Sequence, residues 1–138
     1  MTNATNSDWV RQAYLFKKQL AAKIPAEWKK LSADLEASQN VIDAVAQSGI
    51  LSETELQILR LDAVGLIDAI ALRKYTSFQA TKAYAKAAAI AQQLTNCLVD
   101  WFHEEALERA EWLDKQLEQT GTVVGPLHGL PISLKGNK

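Results

Sequence analysis

The segment Val123-Val-Gly-Pro-Leu-His-Gly-Leu-Pro-Ile-Ser-Leu-Lys135 is where the character of the sequence changes. It carries two glycines and two prolines among apolar residues. Helix is excluded there, because proline lacks a backbone N–H and its ring clashes with the preceding turn. We expect Leu130 to Lys135 to form a short strand that is entered through a turn, with Pro131 at its first position. The chain before this segment has the periodicity of helices.

The first helix is predicted from an apolar stripe near the N-terminus with three- and four-residue spacings. Ser7 or Asp8 is expected to cap its start, and Pro25 to end it or to open a second short helix over 26–35. The residues of the stripe are Trp9, Ala13, Phe16, Leu20 and Ile24.

Two capping boxes mark helix starts further along the chain. Ser52 with Glu55, and Thr76 with Gln79, have the spacing at which each side chain bonds the backbone N–H of the other residue. A turn at Ser48-Gly49 precedes the first box. Each box is therefore predicted to open a helix, the second of them the longest in the chain.

Three further apolar stripes define the buried faces of these helices. The last helix is expected to cover 103–119 and to end at Gly121, a C-capping glycine. The three stripes are Ala63, Leu66, Ile67 and Ile70; Ala83, Ala87, Ile90, Leu94, Cys97, Leu98 and Trp101; and Ala106, Ala110, Leu113 and Leu117.

Composition indicates a globular chain of one-domain size. The chain has 138 residues, 48% of them apolar, and a formal net charge of -1. This balance argues against nucleic acid or an anionic membrane as the main partner, because both select a basic surface. The start is polar and unlike a signal peptide, no stretch reads as a membrane span, and Cys97 is a single cysteine. We therefore expect a cytoplasmic protein.

The predicted fold class is mainly α, with one strand. A single strand has no ladder partner, and its backbone groups stay unpaired if they are buried. We therefore expect an incomplete architecture, with a helical N-terminal region over 1–121 and, over 122–138, a loop and a strand whose partners are missing. Alanine-rich helix faces bury little area, so the isolated chain is expected to be marginally stable and prone to self-association.

The segment 125–135 resembles the opening strand of amidase-signature enzymes, which reads Gly-Pro-Leu-His-Gly-(Ile/Leu)-Pro-x-x-x-Lys-Asp. The segments 24–28, 48–56 and 88–97 and the dipeptide Leu113-Asp114 are similar to the N-terminal region of fungal acetamidase-type members. The resemblance covers the chain from about Trp9 to Lys135. It implies that 1–121 are the helical N-terminal region of an amidase and 122–138 the loop and first strand of its α/β core, here truncated. It also implies a parent several-fold longer, with a large mixed sheet, that hydrolyses the carbon–nitrogen bond of small linear amides and uses no cofactor.

The resemblance assigns Lys135 the role of base and proton relay, together with a nucleophilic serine and a second serine in a cis peptide. A serine hydroxyl needs an adjacent base, and a lysine serves as that base only where burial lowers its pKa. Gly136 stands where the family has Asp, and the segment that supplies both serines is missing. We therefore expect this chain alone to be inactive on amides.

The last three residues, 136–138, suggest a hypothesis about the gene. Gly-Asn-Lys can be encoded GGT-AAC-AAR, which contains GTAA, a plausible intron start, after a single G. A following exon that supplies two bases would restore an Asp codon after Lys135. A transcript that stops after Lys138 without a splice would contradict this origin and indicate a real truncation.

Other hypotheses compete for the residues that can carry chemistry. Ser133 and Lys135 share a face of the predicted strand and suggest a Ser–Lys dyad, although no oxyanion hole is evident beside them. His103, His128 and Cys97 lack the spacing of metal ligands, so we expect no metal site. We expect His128 to be a hydrogen-bonding loop residue, His103 to lie near a helix start, and Cys97 to pack on an apolar helix face.

An alternative function is a non-catalytic helical interaction protein derived from an amidase. We expect Leu98 and Trp101 to be exposed core-type residues, which such a module would replace with polar ones, and this sequence retains them.

Gly125 and Gly129 are expected to allow a close approach of the backbone. The four tryptophans, Trp9, Trp28, Trp101 and Trp112, are predicted anchors, some of them exposed. A solvated helix face is predicted from Glu104, Glu105, Glu108, Arg109 and Glu111.

Overall fold

The computed structural model describes residues 6–29, 31–36 and 40–135. Within these ranges the chain forms seven α-helices and one short 3₁₀ helix, and no residue lies in a strand. The 3₁₀ helix covers Ala26–Trp28. The α-helices are α1 (Asn6–Lys23), α2 (Ala33–Glu36), α3 (Val41–Gln47), α4 (Glu53–Leu59), α5 (Ala63–Ala71), α6 (Ser77–Thr95) and α7 (His103–Thr120).

The start of the chain differs from its prediction in two places. Helix α1 begins at Asn6, so Ser7 and Asp8 lie inside its first turn and neither occupies the capping position. The predicted helix over 26–35 is broken, with the 3₁₀ helix after Pro25 and α2 beginning only at Ala33. Pro25 therefore ends α1 and opens the 3₁₀ helix, for which its fixed φ is suited.

Both predicted capping boxes are confirmed. Ser52 Oγ accepts the backbone N–H of Glu55 at 3.2 Å, and Glu55 Oε2 accepts the backbone N–H of Ser52 at 2.8 Å. Thr76 and Gln79 exchange the same two bonds, each at 3.0 Å. Because these bonds satisfy N–H groups that have no partner within a helix, they determine where α4 and α6 begin.

Helix α6 is shorter than its apolar stripe predicted. It ends at Thr95, because Asn96 adopts the left-handed conformation with φ 52°. Beyond the helix end, the buried side chain of Gln92 supplies the hydrogen-bond acceptor that a further helical turn would have provided. Its Oε1 accepts the N–H of Leu98 at 2.7 Å, and its Nε2 donates to Asn96 Oδ1 at 3.2 Å. The prediction that Cys97 packs on the face of α6 is wrong, since Cys97 lies past the helix end and is exposed.

Two hydrophobic clusters form the core, and α6 contributes alanines to both. Ala83 belongs to the first cluster and Ala89 to the second, and both are fully buried. Small side chains along α6 let it contact α3, α4, α7 and the 3₁₀ helix. The first cluster consists of Ile58, Leu66, Ala69, Ile70, Tyr75, Ala80 and Ala83. The second consists of Leu20, Ile24, Trp28, Ala85, Ala89 and Trp101.

The second cluster holds an aromatic stack. The rings of Trp101 and His103 lie parallel with centroids 3.9 Å apart, and Trp28 meets His103 edge-on at 5.9 Å. The predicted position of His103 at a helix start is confirmed. Trp101 is buried and Leu98 is partly buried against the same cluster, so the expectation that they are exposed core-type residues is wrong. Trp9 is 63% exposed and Trp112 is 40% exposed.

The last described segment, 130–135, forms no strand. A strand is defined by its ladder, and nothing in the described part of the chain pairs with this segment. The mainly α class is confirmed, whereas the strand predicted at Leu130 to Lys135 is not formed in this chain. Gly136 and the rest of the tail on which the intron hypothesis rests lie outside the described residues. Among the described helices, none is both long and apolar enough to cross a membrane.

Candidate functional site

A compact turn follows α7 and carries the glycines of the distinctive segment. Helix α7 ends at Thr120, and Gly121, which has φ 70°, caps the helix as predicted. In the turn, His128 Nδ1 accepts the backbone N–H of Val124 at 3.1 Å. The backbone N–H of His128 in turn donates to the carbonyl of Gly125 at 3.1 Å. The prediction that His128 is a hydrogen-bonding loop residue is confirmed.

Gly129 brings this turn against the start of α6. It has φ +75°, and a Cβ built on it would lie 2.5 Å from Ser77 Oγ and 3.0 Å from Ile70 Cδ1. No side chain fits in that space, so the glycine is required by both its conformation and its contact. A Cβ on Gly125 would instead meet nothing within 4 Å, so the close approach predicted for that glycine is absent.

The turn and the two long helices enclose a groove, here called the turn groove, of about 420 Å³. One wall is formed by α6 and α7, and the other by the turn and the residues that follow it. The guanidinium of Arg109, on the helix wall, stacks on Trp112 with Cζ 4.0 Å from the ring centroid. The lining residues are Thr81, Ala106, Arg109, Ala110, Leu113, Val124, Gly125, Leu127, His128, Gly129, Leu130, Pro131 and Ile132.

His128 is 4% exposed and stands at the junction of turn and helices. Burial lowers the pKa of His128 below its ordinary value of 6.5, the charge of Asp114 offsets part of this shift, and Arg109 lowers the pKa further. Since Nδ1 accepts a hydrogen bond, the ring is neutral with its proton on Nε2. Within the described residues, His128 Nε2 and Ser77 Oγ are buried without hydrogen-bond partners.

Lys135 is exposed, and it lies five residues beyond Leu130, which packs against the first core cluster. Ser133 is exposed as well, and the segment is not a strand, so the shared face on which a Ser–Lys dyad depended is not formed. His103 lies in the second cluster and His128 at the turn. In the described ranges no group of three or more His, Cys, Asp or Glu residues is close enough to hold a metal ion.

The sequence did not indicate the residues that hold the turn in place. Asp114 is central among them, because its carboxylate accepts the N–H of Ser77 at 2.7 Å and the N–H of Phe78 at 3.0 Å. Asp114 was recognised only as part of a family-like dipeptide, and Ser77 not at all. The predicted solvated face of α7 is confirmed, since Glu104, Glu105, Glu108, Arg109 and Glu111 are all exposed.

Comparison with known proteins supports the family resemblance. Residues 79–138 match the family model described as Amidase. An acetamidase of Emericella nidulans is 46% identical over 127 residues, which are 92% of this chain and 23% of that protein. An amidase of Gibberella zeae is 39% identical over the same shares of both chains. The solved structure of a fatty acid amide hydrolase superposes with a TM-score of 0.76 at 31% identity, over 88% of this chain and 22% of that one.

The helices and the turn match part of the fold of an amide hydrolase, and residues 79–138 match the Amidase family model, so the chain is similar to members of the amidase family. Within that family its curated relatives include fungal acetamidases, from Emericella nidulans and Aspergillus oryzae. The chain spans 23% and 24% of the length of these two relatives. The matched region contains the turn, the groove and Lys135.

Proposed function

We propose that this chain supplies the helical N-terminal region of an enzyme that hydrolyses the carbon–nitrogen bond of linear amides, with Lys135 as base and proton relay. The observation that carries the proposal is the match of 79–138 to the amidase family model, which includes the turn and Lys135. The similarity to the acetamidase of Emericella nidulans suggests a small amide as substrate.

Within this region, the geometry separates an anchored turn from the exposed residues that follow it and include Lys135. Residues up to Leu130 are anchored on the helices by the Gly129 contact and by the first core cluster. Residues 132–135 follow that anchor and are exposed. A base must reach the proton it abstracts, so an exposed lysine a few residues beyond an anchored turn is accessible to a site built by other residues.

By the same reasoning, the chain alone is proposed to be inactive. A lysine acts as a base in a site that excludes water, and Lys135 is exposed, with no described residue enclosing it. Amide hydrolysis also needs a nucleophile and an oxyanion hole. Ser133 is exposed and lies in no strand.

The first test is ammonia release from acetamide and from an aromatic amide by the purified chain, beside Lys135→Ala. We expect no release above that variant. Turnover that disappears in Lys135→Ala would overturn the proposed inactivity and make the Ser133–Lys135 pair the catalytic candidate.

The second test adds, from a relative, the groups that the proposal requires beside Lys135. The chain is co-expressed with the part of the Emericella nidulans acetamidase that follows the matched region, and amide hydrolysis is measured. We expect activity that is lost in Lys135→Ala and kept in Lys115→Ala, a change at an exposed lysine of α7. Equal activity of the two variants would contradict the role proposed for Lys135.

A further inference from the structure

The hydrogen bond between His128 and Val124 ties together the two ends of the turn. Val124 is 53% exposed, so burial does little to hold it in place. At the other end, Gly129 is wedged against Ser77, and the N–H of Leu130 donates to the carbonyl of Leu127 at 3.2 Å. The imidazole therefore connects the weakly packed entry of the turn to its firmly packed exit.

The exit of the turn determines the direction of the segment that ends at Lys135. Leu130 is the last residue packed against the first core cluster, and Ile132 and Leu134 are 62% and 89% exposed. Few packing contacts fix these residues, so their direction depends on the conformation of the turn from which they leave. A change in the turn is expected to reach Lys135, because only a half-buried Pro131 and the exposed residues 132–134 lie between Leu130 and Lys135.

We propose that His128 is a pH-sensitive positioning residue, whose hydrogen bond to Val124 closes the turn in the neutral state and sets the direction of 131–135. That this direction matters for catalysis rests on the proposed function of Lys135. The closure of the turn by His128 does not depend on that function. The hydrogen bond requires a lone pair on Nδ1, and protonation replaces that lone pair with an N–H. Two N–H groups then face each other, so uptake of one proton by Nδ1 breaks the bond.

The charges around the ring make the neutral form the resting state. Burial and Arg109 lower the pKa of His128, and Asp114 raises it by a smaller amount. Both charged residues belong to α7. From the other elements packed on the turn, α6 contributes Ser77 and Thr81 and α5 contributes Ile70, none of which is charged. The hydrogen bond should therefore be intact at neutral pH and lost in acid, below pH 6.5, the ordinary value for the group.

The test measures backbone order in the whole chain by NMR, between about pH 7.5 and pH 4.5, on either side of the ordinary histidine pKa. The Val124 amide should exchange slowly at neutral pH and lose its protection with the midpoint of the His128 ring titration. His128→Asn places an oxygen near the position of Nδ1 without a titrating ring, so protection should persist across the range. His128→Phe removes the acceptor, and exchange at Val124 should accelerate roughly tenfold, as expected for a hydrogen bond of ordinary net strength.

His103→Asn is the matched control, because it removes a second buried histidine from the other core cluster. It should leave the transition at Val124 unchanged. Unaltered protection in a folded His128→Phe protein, or an acid transition that persists in His128→Asn, would overturn the proposal. If His128→Phe loses its fold, seen in the signals of Trp28 and Trp101, the His128→Asn result decides. Lys135→Ala should not affect the transition, so this outcome is independent of the proposed catalytic role.

Discussion

Asp114 Oδ1 lies 2.7 Å from the backbone nitrogen of Ser77, so a carboxylate in the middle of α7 binds the first turn of α6. Its other oxygen accepts the N–H of Phe78 at 3.0 Å. The first N–H groups of a helix have no intrahelical partners and carry partial positive charge, and an anion there satisfies both needs. This bond fixes the two helix walls of the turn groove and the position of Ser77, on which Gly129 rests.

Replacing Asp114 by alanine should lower the free energy of unfolding by about 1–3 kcal/mol, because two partly buried N–H groups lose a charged acceptor. Urea unfolding followed by tryptophan fluorescence measures the change. Glu111→Ala, at an exposed carboxylate one turn earlier on α7, is the control and should stay within about 0.5 kcal/mol of wild type. Equal effects of the two substitutions would contradict the capping role.

Glu55→Gln should destabilise the chain by about 1–3 kcal/mol at neutral pH, because it weakens a partly buried, charge-assisted contact. Glu55 Oε2 lies 2.7 Å from Lys86 Nζ, and both side chains are largely buried. Lys86 keeps a second acceptor, the carbonyl of Ile50 at 3.2 Å, which limits the loss. Glu53→Gln is the matched control in the same helical turn, since Glu53 is exposed and only loosely paired with Arg60 at 3.7 Å.

The same carboxylate predicts a pH dependence. Burial raises the pKa of Glu55, but its bonds with Lys86 and Ser52 outweigh burial and hold the pKa below the ordinary value of 4.5. As the pH falls, Glu55 therefore binds a proton at a higher pH in the unfolded chain than in the folded chain. The contribution of its carboxylate to the free energy of unfolding is complete above pH 4.5 and is lost as the pH falls through the lowered pKa of the folded state. Unfolding free energies measured across the acid range should decline less steeply in Glu55→Gln than in Glu53→Gln.

The signals that predicted the fold correctly are local ones. A capping box brings together residues three positions apart, so Ser52 with Glu55 and Thr76 with Gln79 needed no tertiary information. The end of α6 was missed because periodicity continues past Thr95. What stops the helix is the side chain of Gln92, which bonds the Leu98 backbone only after the chain has turned.

The candidate site was predicted only where it is contiguous in sequence. His128 and the glycine at 129 belong to one segment, so their turn was recognisable. Ser77 and Asp114 are 37 residues apart and meet only because α6 and α7 pack together. A polar residue on a helix is usually solvated, so nothing local distinguished Asp114 from its exposed neighbours. The prediction of a strand at 130–135 was wrong because it used only the local pattern. A strand also needs a partner, which a local pattern does not reveal.

Gly129→Ala should destabilise the chain by roughly 2–4 kcal/mol, through a strained φ and a clash with Ser77. Gly49→Ala separates the two causes, because Gly49 has φ +68° and open space around its Cβ direction. That variant should cost about 1–2 kcal/mol, the conformational part alone. Adding Ser77→Gly to Gly129→Ala should recover part of the difference. Equal costs at Gly49 and Gly129 would show that the contact with Ser77 contributes nothing.

Self-association is expected to involve the exposed apolar segment after the turn. Ile132 and Leu134 are 62% and 89% exposed, and the backbone between them has no ladder partner among the described residues. An unpaired apolar segment is a template for pairing with a second chain. Sedimentation over a range of concentrations should reveal species heavier than the 15.2 kDa monomer.

The double variant Ile132→Asp with Leu134→Asp should raise the dissociation constant of those species at least roughly tenfold, because burying each of these side chains contributes about 1.5–3 kcal/mol. Leu72→Asp, which changes an 81% exposed leucine at the end of α5, should leave the association unchanged. An equal effect of Leu72→Asp would place the contact elsewhere on the surface. A monodisperse monomer with a sharp cooperative melt would contradict both the association and the marginal stability expected of the isolated chain, because it would show that the two alanine-lined clusters suffice without a partner.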